Sequence, residues 1–436
     1  MALSQKSPPL YSAAAATRKR GLQQWLGAWK SFDGILLLTV LFLTGIGVLA
    51  IHSTRSESQY WIQQLVMGGA SIAPCLILAR WNYERLLGWH WFLYGLNLLT
   101  LIAVLFVGVS GGGAERWISV GGIPVQPSEF AKLAVIITLA AVLHYWPIRY
   151  FSQIWLPVMV IAPPWVLIFL QPNLGTAMVF VVILLTMLYW AGAQISWILL
   201  LLSPFVGGIL YGLHTQPGLY GMIWLWLIWT AAMGLLAAWQ LPWRRVGALT
   251  FAVLNLLSGQ LGQIAWQMLK PYQQLRLLIF TDPSKDPLGS GYHLIQSKIA
   301  IGAGGLWGRG FLQGTQTQLD FIPEQHTDFV FSAVAEEVGF IGTITVLVLL
   351  WLMCFRLLLI AQHAKDNFGS LIAIGIFAMI LFQAVINVGM TVGLAPITGL
   401  PLPFLSYGRS ALLTNFLAVG VAESVAMHRH RTTFFK

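Results

Sequence analysis

The chain alternates between apolar runs of about twenty residues and short polar breaks. Twelve runs are long enough, or nearly so, to cross a hydrocarbon layer of ~30 Å. They lie near 33–53, 60–79, 88–109, 128–146, 153–170, 174–192, 196–213, 219–239, 246–267, 331–356, 368–390 and 410–427. Runs of this length with few charges predict membrane helices. Most breaks are tight turns, but three are long. The first is the glycine-rich Ser110–Pro127, SGGGAERWISVGGIPVQP. The second runs from about Lys270 to Val330. The third is the Pro- and Gly-rich Thr391–Arg409, TVGLAPITGLPLPFLSYGR. With an even number of spans all three fall on one side, where they can converge. No internal repeat is visible, so an inverted-repeat transporter plan has no direct support.

Composition sharpens this picture. The 436 residues are 57% hydrophobic and 9% charged, which excludes the soluble globular class. Cys75 and Cys354 both lie in predicted spans, so no disulfide framework is expected. The start of the chain is polar and basic and lacks an apolar core with a cleavage site, so no removable signal peptide is expected.

The net charge of +10 raises the question of nucleic acid, but its distribution answers it. With both termini in the cytoplasm, the basic tails and Arg80, Arg85, Arg149, Arg244, Arg245, Arg356 and Lys365 lie inside, as the positive-inside rule requires. No nucleic-acid partner is implied. The long outer loop keeps Lys270, Arg276, Lys285, Lys298 and Arg309, which topology leaves unexplained and which suit an anionic ligand. Seven of the 14 acidic residues also fall between Thr281 and Glu337.

The resulting organisation is a tail at 1–30, an integral membrane unit at 31–427 and a short basic tail at 428–436. Within the unit, 215–267 reads as an extra transmembrane hairpin and 268–330 as a large extracytoplasmic loop. The hairpin carries Trp224, Trp226, Trp229 and Trp239, which suit a bilayer interface.

Four motifs carry candidate chemistry. In PSEFAKLA, Pro127 and Ser128 mark a helix start, with Ser128 as a capping residue, and Glu129 and Lys132 share one face three residues apart. Each charge in hydrocarbon costs roughly 2.5–3.5 kcal/mol. The pair is therefore either a structural ion pair or the lining of a polar cavity. In GAERWIS, Arg116 beside Trp117 is either an interfacial anchor or a guanidinium and ring for a phosphorylated lipid-linked sugar.

The stretch Gly289–Gly314 holds Gly302, Gly304, Gly305, Gly308 and Gly310, which argue against an ordinary helix. It matches neither a Walker loop nor a dinucleotide fingerprint. Its backbone N–H groups, Lys298 and Arg309 suit an anion, or else form a solvated loop. In QLDFIPEQHTDFVFSAVAEEVGF, Asp328 either caps the helix that follows or does chemistry. Glu336 and Glu337 fall about two turns later, toward the membrane, where acids are functional suspects. His326, Asp328 and Glu324 are a weak metal-ligand set.

Together these segments, with QPNLGTA at Gln171–Ala177 and INVGMTVGLAPITGLPLPFLSYG, resemble the SEDS family of bacterial envelope proteins, the RodA/FtsW group. The wording GTQTQLDFIPEQHTDF is nearer the RodA branch. The resemblance implies an all-α polytopic membrane helix bundle, GT-C-like, of about ten family spans plus the extra hairpin. It implies a peptidoglycan glycosyltransferase that polymerises lipid II at the outer face of the bacterial cytoplasmic membrane, for cell elongation and shape. The product is undecaprenyl-diphosphate-linked glycan. The partner implied is a class B penicillin-binding protein, and the cofactor a divalent cation, Mg²⁺ or Mn²⁺.

By the same resemblance Asp328 is the essential aspartate. Glu129, Lys132 and Arg116 correspond to family positions, with Lys298 and Arg309 as further substrate-binding candidates. The chain departs from the family pattern in its extra spans and in Arg409, where many members have Gly. The competing readings are a lipid-linked precursor flippase and a non-catalytic cell-wall scaffold.

Overall fold

The structure is a computed structural model that describes residues 31–54, 59–111, 114–214, 223–268, 274–275, 290–319, 321 and 324–429. The expected tail at 1–30, all but the first two residues of the expected tail at 428–436, the hairpin's start at 215–222 and the acidic loop start at 276–289 lie outside these residues. So do Asp320 and Pro323.

Among the described residues twelve long helices follow the apolar runs: α1 Gly34–Thr54, α2 Tyr60–Arg80, α3 Leu86–Val107, α4 Pro127–Tyr145, α5 Trp155–Leu170, α6 Leu174–Trp190, α7 Ile195–His214, α8 Ile223–Gln240 and α9 Arg244–Met268. After two shorter helices, α10 Ser290–Gly304 and α11 Thr315–Gln318, come α12 Val330–Gln362, α13 Asn367–Val392 and α14 Arg409–Met427. Ten regions are both long and apolar enough to cross a membrane; α6 is shorter, and α9 is not among the ten. Local chemistry sets several ends. Pro127 occupies the first turn of α4, where its missing N–H costs nothing. Asp366 caps α13 by accepting from the Gly369 N–H at 2.8 Å, and Gly393 ends it with φ 82°.

Burial sorts the helices into layers. α4, α13 and α14 bury most of their length at the centre, whereas α2, α3, α7 and α8 turn most of theirs outward. The hairpin α8–α9 packs on α7. Asn255 of α9 donates to Ser203 Oγ at 2.9 Å, and Trp229 of α8 donates to the Ser203 carbonyl at 3.0 Å. Gly262 comes so close to Gly208 that an added Cβ would lie 3.3 Å from the Gly208 Cα. Small residues and polar contacts are the usual means of helix packing where lipid removes the hydrophobic drive.

The all-α plan acquires three features that the apolar pattern does not predict. An antiparallel sheet forms from β1 Val109–Gly111, β2 Ala114–Val120 and β3 Ile123–Val125, in that order. β2 and β3 turn through Gly121 and Gly122, both at positive φ, which only glycine adopts without strain. Next, Ser290–Gly304 is helical although it contains Gly302 and Gly304. Gly304 sits where the backbone must approach Ala335, and packing against α12 and α13 outweighs its low propensity. Third, α12 is broken at Gly339 (φ 73°, ψ −164°). Its 33 residues would span roughly 50 Å as one helix, and the break sets nine of them, 330–338, apart from the long shaft.

Candidate functional site

The site is built where α4, α6, α12 and α14 begin and α13 ends, which is also the end that carries the sheet. Its centre is the irregular segment 393–408. Gly47 of α1 lies against the Phe404 and Leu405 backbone with no space for a side chain. Gln64 of α2 donates to the Ser406 carbonyl at 3.1 Å, and Tyr407 donates to Gln63 at 2.5 Å. Burial pushes the Tyr407 hydroxyl above its ordinary pKa, against the pull of Arg409, so it remains a neutral donor.

This segment holds the HTDF turn in place. The Tyr407 N–H donates to the His326 carbonyl at 2.8 Å. Asn387 of α13 donates both to the Asp328 carbonyl at 3.0 Å and to the Leu400 carbonyl at 2.8 Å. The His326 ring is buried and stacks on Tyr60, with centroids 4.8 Å apart and planes within 5°. Tyr407 leans on both rings. Asp328 is half-buried beside this aromatic group. Glu324 (φ 54°) and Phe404 (φ 66°) both adopt left-handed backbone, which side-chain-bearing residues rarely do. Such strain gathers where a turn must be aimed.

The N-cap position of α12 is Phe329, one residue beyond Asp328, and Phe329 makes no side-chain cap. Nor does Ser128 cap α4. Gln126 holds that position; its N–H donates to Ser410 Oγ of α14 at 3.0 Å and its side chain to Ser128 Oγ at 3.1 Å.

The other candidates divide into two groups. Glu129 and Lys132 form a 2.7 Å ion pair in the first turns of α4, with side chains 4% and 0% exposed. Arg116 on β2 donates through Nε to the Gln171 carbonyl at 3.3 Å and through Nη2 to the Pro172 carbonyl. It ties the sheet to the QPNLGTA loop, whose Asn173 caps α6. That loop reaches segment 393–408 in turn, since Gly175 packs on Thr398 and Leu400. Lys298 on α10 lies against Gly393 at the end of α13, where a cation suits the helix dipole. Its neighbour Ser297 bonds Ser332 of α12 at 2.6 Å and the Thr391 carbonyl at 2.7 Å. Asp328, Glu129, Lys132, Arg116 and Lys298 thus belong to one connected set of segments.

Arg309 belongs elsewhere. Its guanidinium donates to the Ala303 carbonyl at 3.3 Å and to Thr315 at 3.4 Å, on the loop above Gly339. The glycine-rich backbone there does not cradle an anion at residues 309 and 310. The Arg309 and Gly310 N–H groups bond the Glu336 and Glu337 carbonyls at 2.9 and 3.0 Å. Glu336 and Glu337 precede the Gly339 break rather than entering the long shaft, and both are structural. Glu336 accepts from the Gln316 and Thr317 N–H groups at 2.8 and 2.9 Å and from the Thr315 and Thr317 hydroxyls at 3.2 and 2.6 Å. Glu337 accepts from Ser53 of α1.

Reading residues in isolation missed Tyr60, Gln63, Asn387 and Tyr407. INVG and LSYG carry Asn387 and Tyr407, but only the fold shows what they hold. Among the described residues no three His, Cys, Asp or Glu side chains group as metal ligands. Glu324 Oε2 stands 3.9 Å from His326 Nε2, but that imidazole is packed against Tyr60.

Comparison with known proteins gives the chain a family. Residues 32–218 and 211–431 match the FtsW, RodA and SpoVE family, described as cell cycle proteins. The chain is 37% identical over 424 residues to the peptidoglycan glycosyltransferase RodA of Treponema pallidum, covering 90% of this chain and 97% of that one. It is 32% identical over 404 residues to the peptidoglycan glycosyltransferase MrdB of Escherichia coli K12, covering 91% and 94%. Among solved structures it resembles a chain of a peptidoglycan synthase complex that coordinates polymerization and crosslinking (TM-score 0.69, 30% identity, covering 92% of this chain and 99% of that one). It also resembles the rod shape determining protein RodA of Thermus thermophilus (TM-score 0.60, 26% identity, covering 92% and 99%). The chain belongs to the FtsW/RodA/SpoVE family and is a multi-pass protein of the cytoplasmic membrane.

Proposed function

We propose that this chain is a peptidoglycan glycosyltransferase that polymerises lipid II, with both termini cytoplasmic and the sheet-bearing end outside. The observation that carries the reading is the convergence of the family's segments on Asp328, in a chain alignable with peptidoglycan glycosyltransferases over nine-tenths of its length.

Lipid II presents its sugar on an α-linked diphosphate, and the product bond is β. A single in-line displacement inverts the centre and needs one general base. Asp328 takes the proton from the acceptor 4-hydroxyl. That oxygen forms the new bond to the anomeric carbon as the bond to the diphosphate breaks, and the diphosphate departs with the electron pair. Being a weak base it needs no general acid, unlike the leaving group in glycoside hydrolysis. It needs positive charge. Lys298 supplies that charge from α10, whose Ser297 bonds Ser332 of α12, together with Lys132 and Arg116. Glu129 holds Lys132 in place. Arg309 acts on the loop above.

The described side chains do not form a cage of three or more protein ligands, so Mg²⁺ or Mn²⁺ is proposed to arrive with the diphosphate. Asp328 or Glu324 would supply the one or two carboxylates such an ion takes from protein. When bound it would add charge at the leaving group. The partner proposed is a class B penicillin-binding protein, in keeping with the synthase complex that the fold resembles.

The flippase reading needs a polar path through the bundle. Beyond Lys132, α4 buries Val135, Ile136, Leu139, Val142 and Leu143, with Thr138 the polar exception on that stretch. The deciding assay incubates purified protein with labelled lipid II. Wild type yields polymer. Asp328→Asn yields at least about a thousandfold less while folding normally, within the range a general base contributes. A fully active Asp328→Asn enzyme overturns the assignment, and a wild type that moves lipid II without polymer favours the flippase.

A further inference from the structure

The outer turn of α2 grips the segments around Asp328. This helix turns most of its length outward, yet Tyr60, Gln63 and Gln64 in its opening turn all reach inward. They lie three and four residues apart and so share one face. The half-buried Tyr60 stacks its ring on His326, with centroids 4.8 Å apart and planes within 5°. Gln63 accepts from the Tyr407 hydroxyl at 2.5 Å, and the fully buried Gln64 donates to the Ser406 carbonyl at 3.1 Å.

Three observations make this grip a means of aiming Asp328. First, the turn is tight. The Thr327 and Asp328 N–H groups both bond the Glu324 carbonyl, at 3.2 and 3.1 Å, so little play separates His326 from Asp328. Second, α2 stands behind both contacts on the His326 side. Its Tyr60 meets the ring, and Tyr407, whose N–H donates to the His326 carbonyl at 2.8 Å, is itself held by Gln63. The other side is pinned from α13, where Asn387 donates to the Asp328 carbonyl at 3.0 Å. Third, the ring contact is flat and closed. The Tyr407 ring leans on Tyr60 and His326 at 4.9 and 5.7 Å, inclined by 49° and 47°. A ring face fixes the plane of the ring laid on it, which an aliphatic side chain does not. Aim matters here, since a displacement of about 1 Å at a reacting group can cost ~100-fold in rate.

We infer that Tyr60 is a positioning residue for the polymerase reaction: its ring, seated on His326, sets the direction in which Asp328 meets the acceptor hydroxyl. Gln63 assists through Tyr407. Tyr60 acts through His326 and not on the substrate, and the inference rests on the reading of Asp328 as general base. Were the stack cohesive only, its loss would lower stability and leave each folded molecule as fast as before.

Initial rates of polymer formation by the purified full-length protein test it, taken over a range of lipid II concentrations and normalised to folded molecules. Tyr60→Leu is expected to lower kcat at least about tenfold with KM within about twofold of wild type, because aim is lost while ground-state binding is kept. Tyr60→Phe keeps the ring and restores kcat to within about twofold of wild type. An unchanged kcat in Tyr60→Leu overturns the inference. So does a change confined to KM, or a loss in Tyr60→Phe equal to that in Tyr60→Leu. Should Tyr60→Leu misfold, Gln63→Leu decides: losing the Tyr407 bond lowers kcat about threefold, and an unchanged value sinks the proposal. Asp328→Asn measured alongside keeps the two readings apart. If it is inactive while Tyr60→Leu is as fast as wild type, the base stands and the positioning role falls. A fully active Asp328→Asn removes the base, and with it the group that Tyr60 aims.

Discussion

Two ion pairs sit at opposite ends of this bundle, one fully buried and one with its arginine about a quarter exposed, and they are built differently. Asp33 at the start of α1 meets Arg356 of α12 through contacts of 2.6, 2.8 and 3.1 Å, and its N–H reaches Glu423 of α14 at 2.9 Å. That cluster ties three helices together. Glu129 and Lys132 lie three residues apart on one helix and, through this bond, tie α4 to nothing. Burying two charges is expensive wherever it happens. At the first site cohesion explains the cost. At the second it does not, and the pair stands beside the segments that surround Asp328. The difference separates a staple from a pair whose burial cohesion does not account for.

Four variants can break or sharpen that contrast. Asp33→Ala removes the charge-assisted contacts to Arg356, which is partly exposed and still has Glu423 nearby, and should lower stability by about 3 kcal/mol. Thermal denaturation of the purified protein would show this, while activity per folded molecule holds. The double change Glu129→Gln with Lys132→Met removes both charges at once. It should leave the melting temperature near wild type and cut polymerisation about a hundredfold, or ~2.7 kcal/mol in barrier. Full activity there would make this pair a staple too. Glu336→Gln weakens the carboxylate anchor of α11 and should cost about 2 kcal/mol, read as faster proteolysis between Gly304 and Gln318. Tyr407→Phe loses one bond to Gln63 and should cost about 1 kcal/mol, with a few-fold fall in rate.

Much of this was legible in the chain. The apolar runs located twelve helices to within a few residues, because a run of twenty apolar residues has few other uses. The sheet was also written there. SVGGIPV sets β-branched residues on both sides of Gly-Gly, a hairpin signal overshadowed by the surrounding glycines. Helix α10 was hidden, because Gly302 and Gly304 argue against a helix and only contact with α12 and α13 restores it. The roles of Glu336 and Glu337 could not be read from position, since the groups that satisfy them lie some twenty residues upstream or on α1. Asp328 stands out by its motif alone, but Asn387 and Tyr407, which hold its turn, owe their contacts to a chain path that no local pattern records.

The interruption at Gly339 has one more consequence. Strand-like main-chain bonds join residues 305–310 to residues 336–341 on either side of it. Side chains take no part in those bonds. Leu306 and Trp307, both exposed, can therefore drift freely, while Gly304, Gly308 and Gly339 admit no replacement without prying the two backbones apart. The turn that carries Asp328 is mounted on a bracket whose tolerance to mutation is set by three absent side chains.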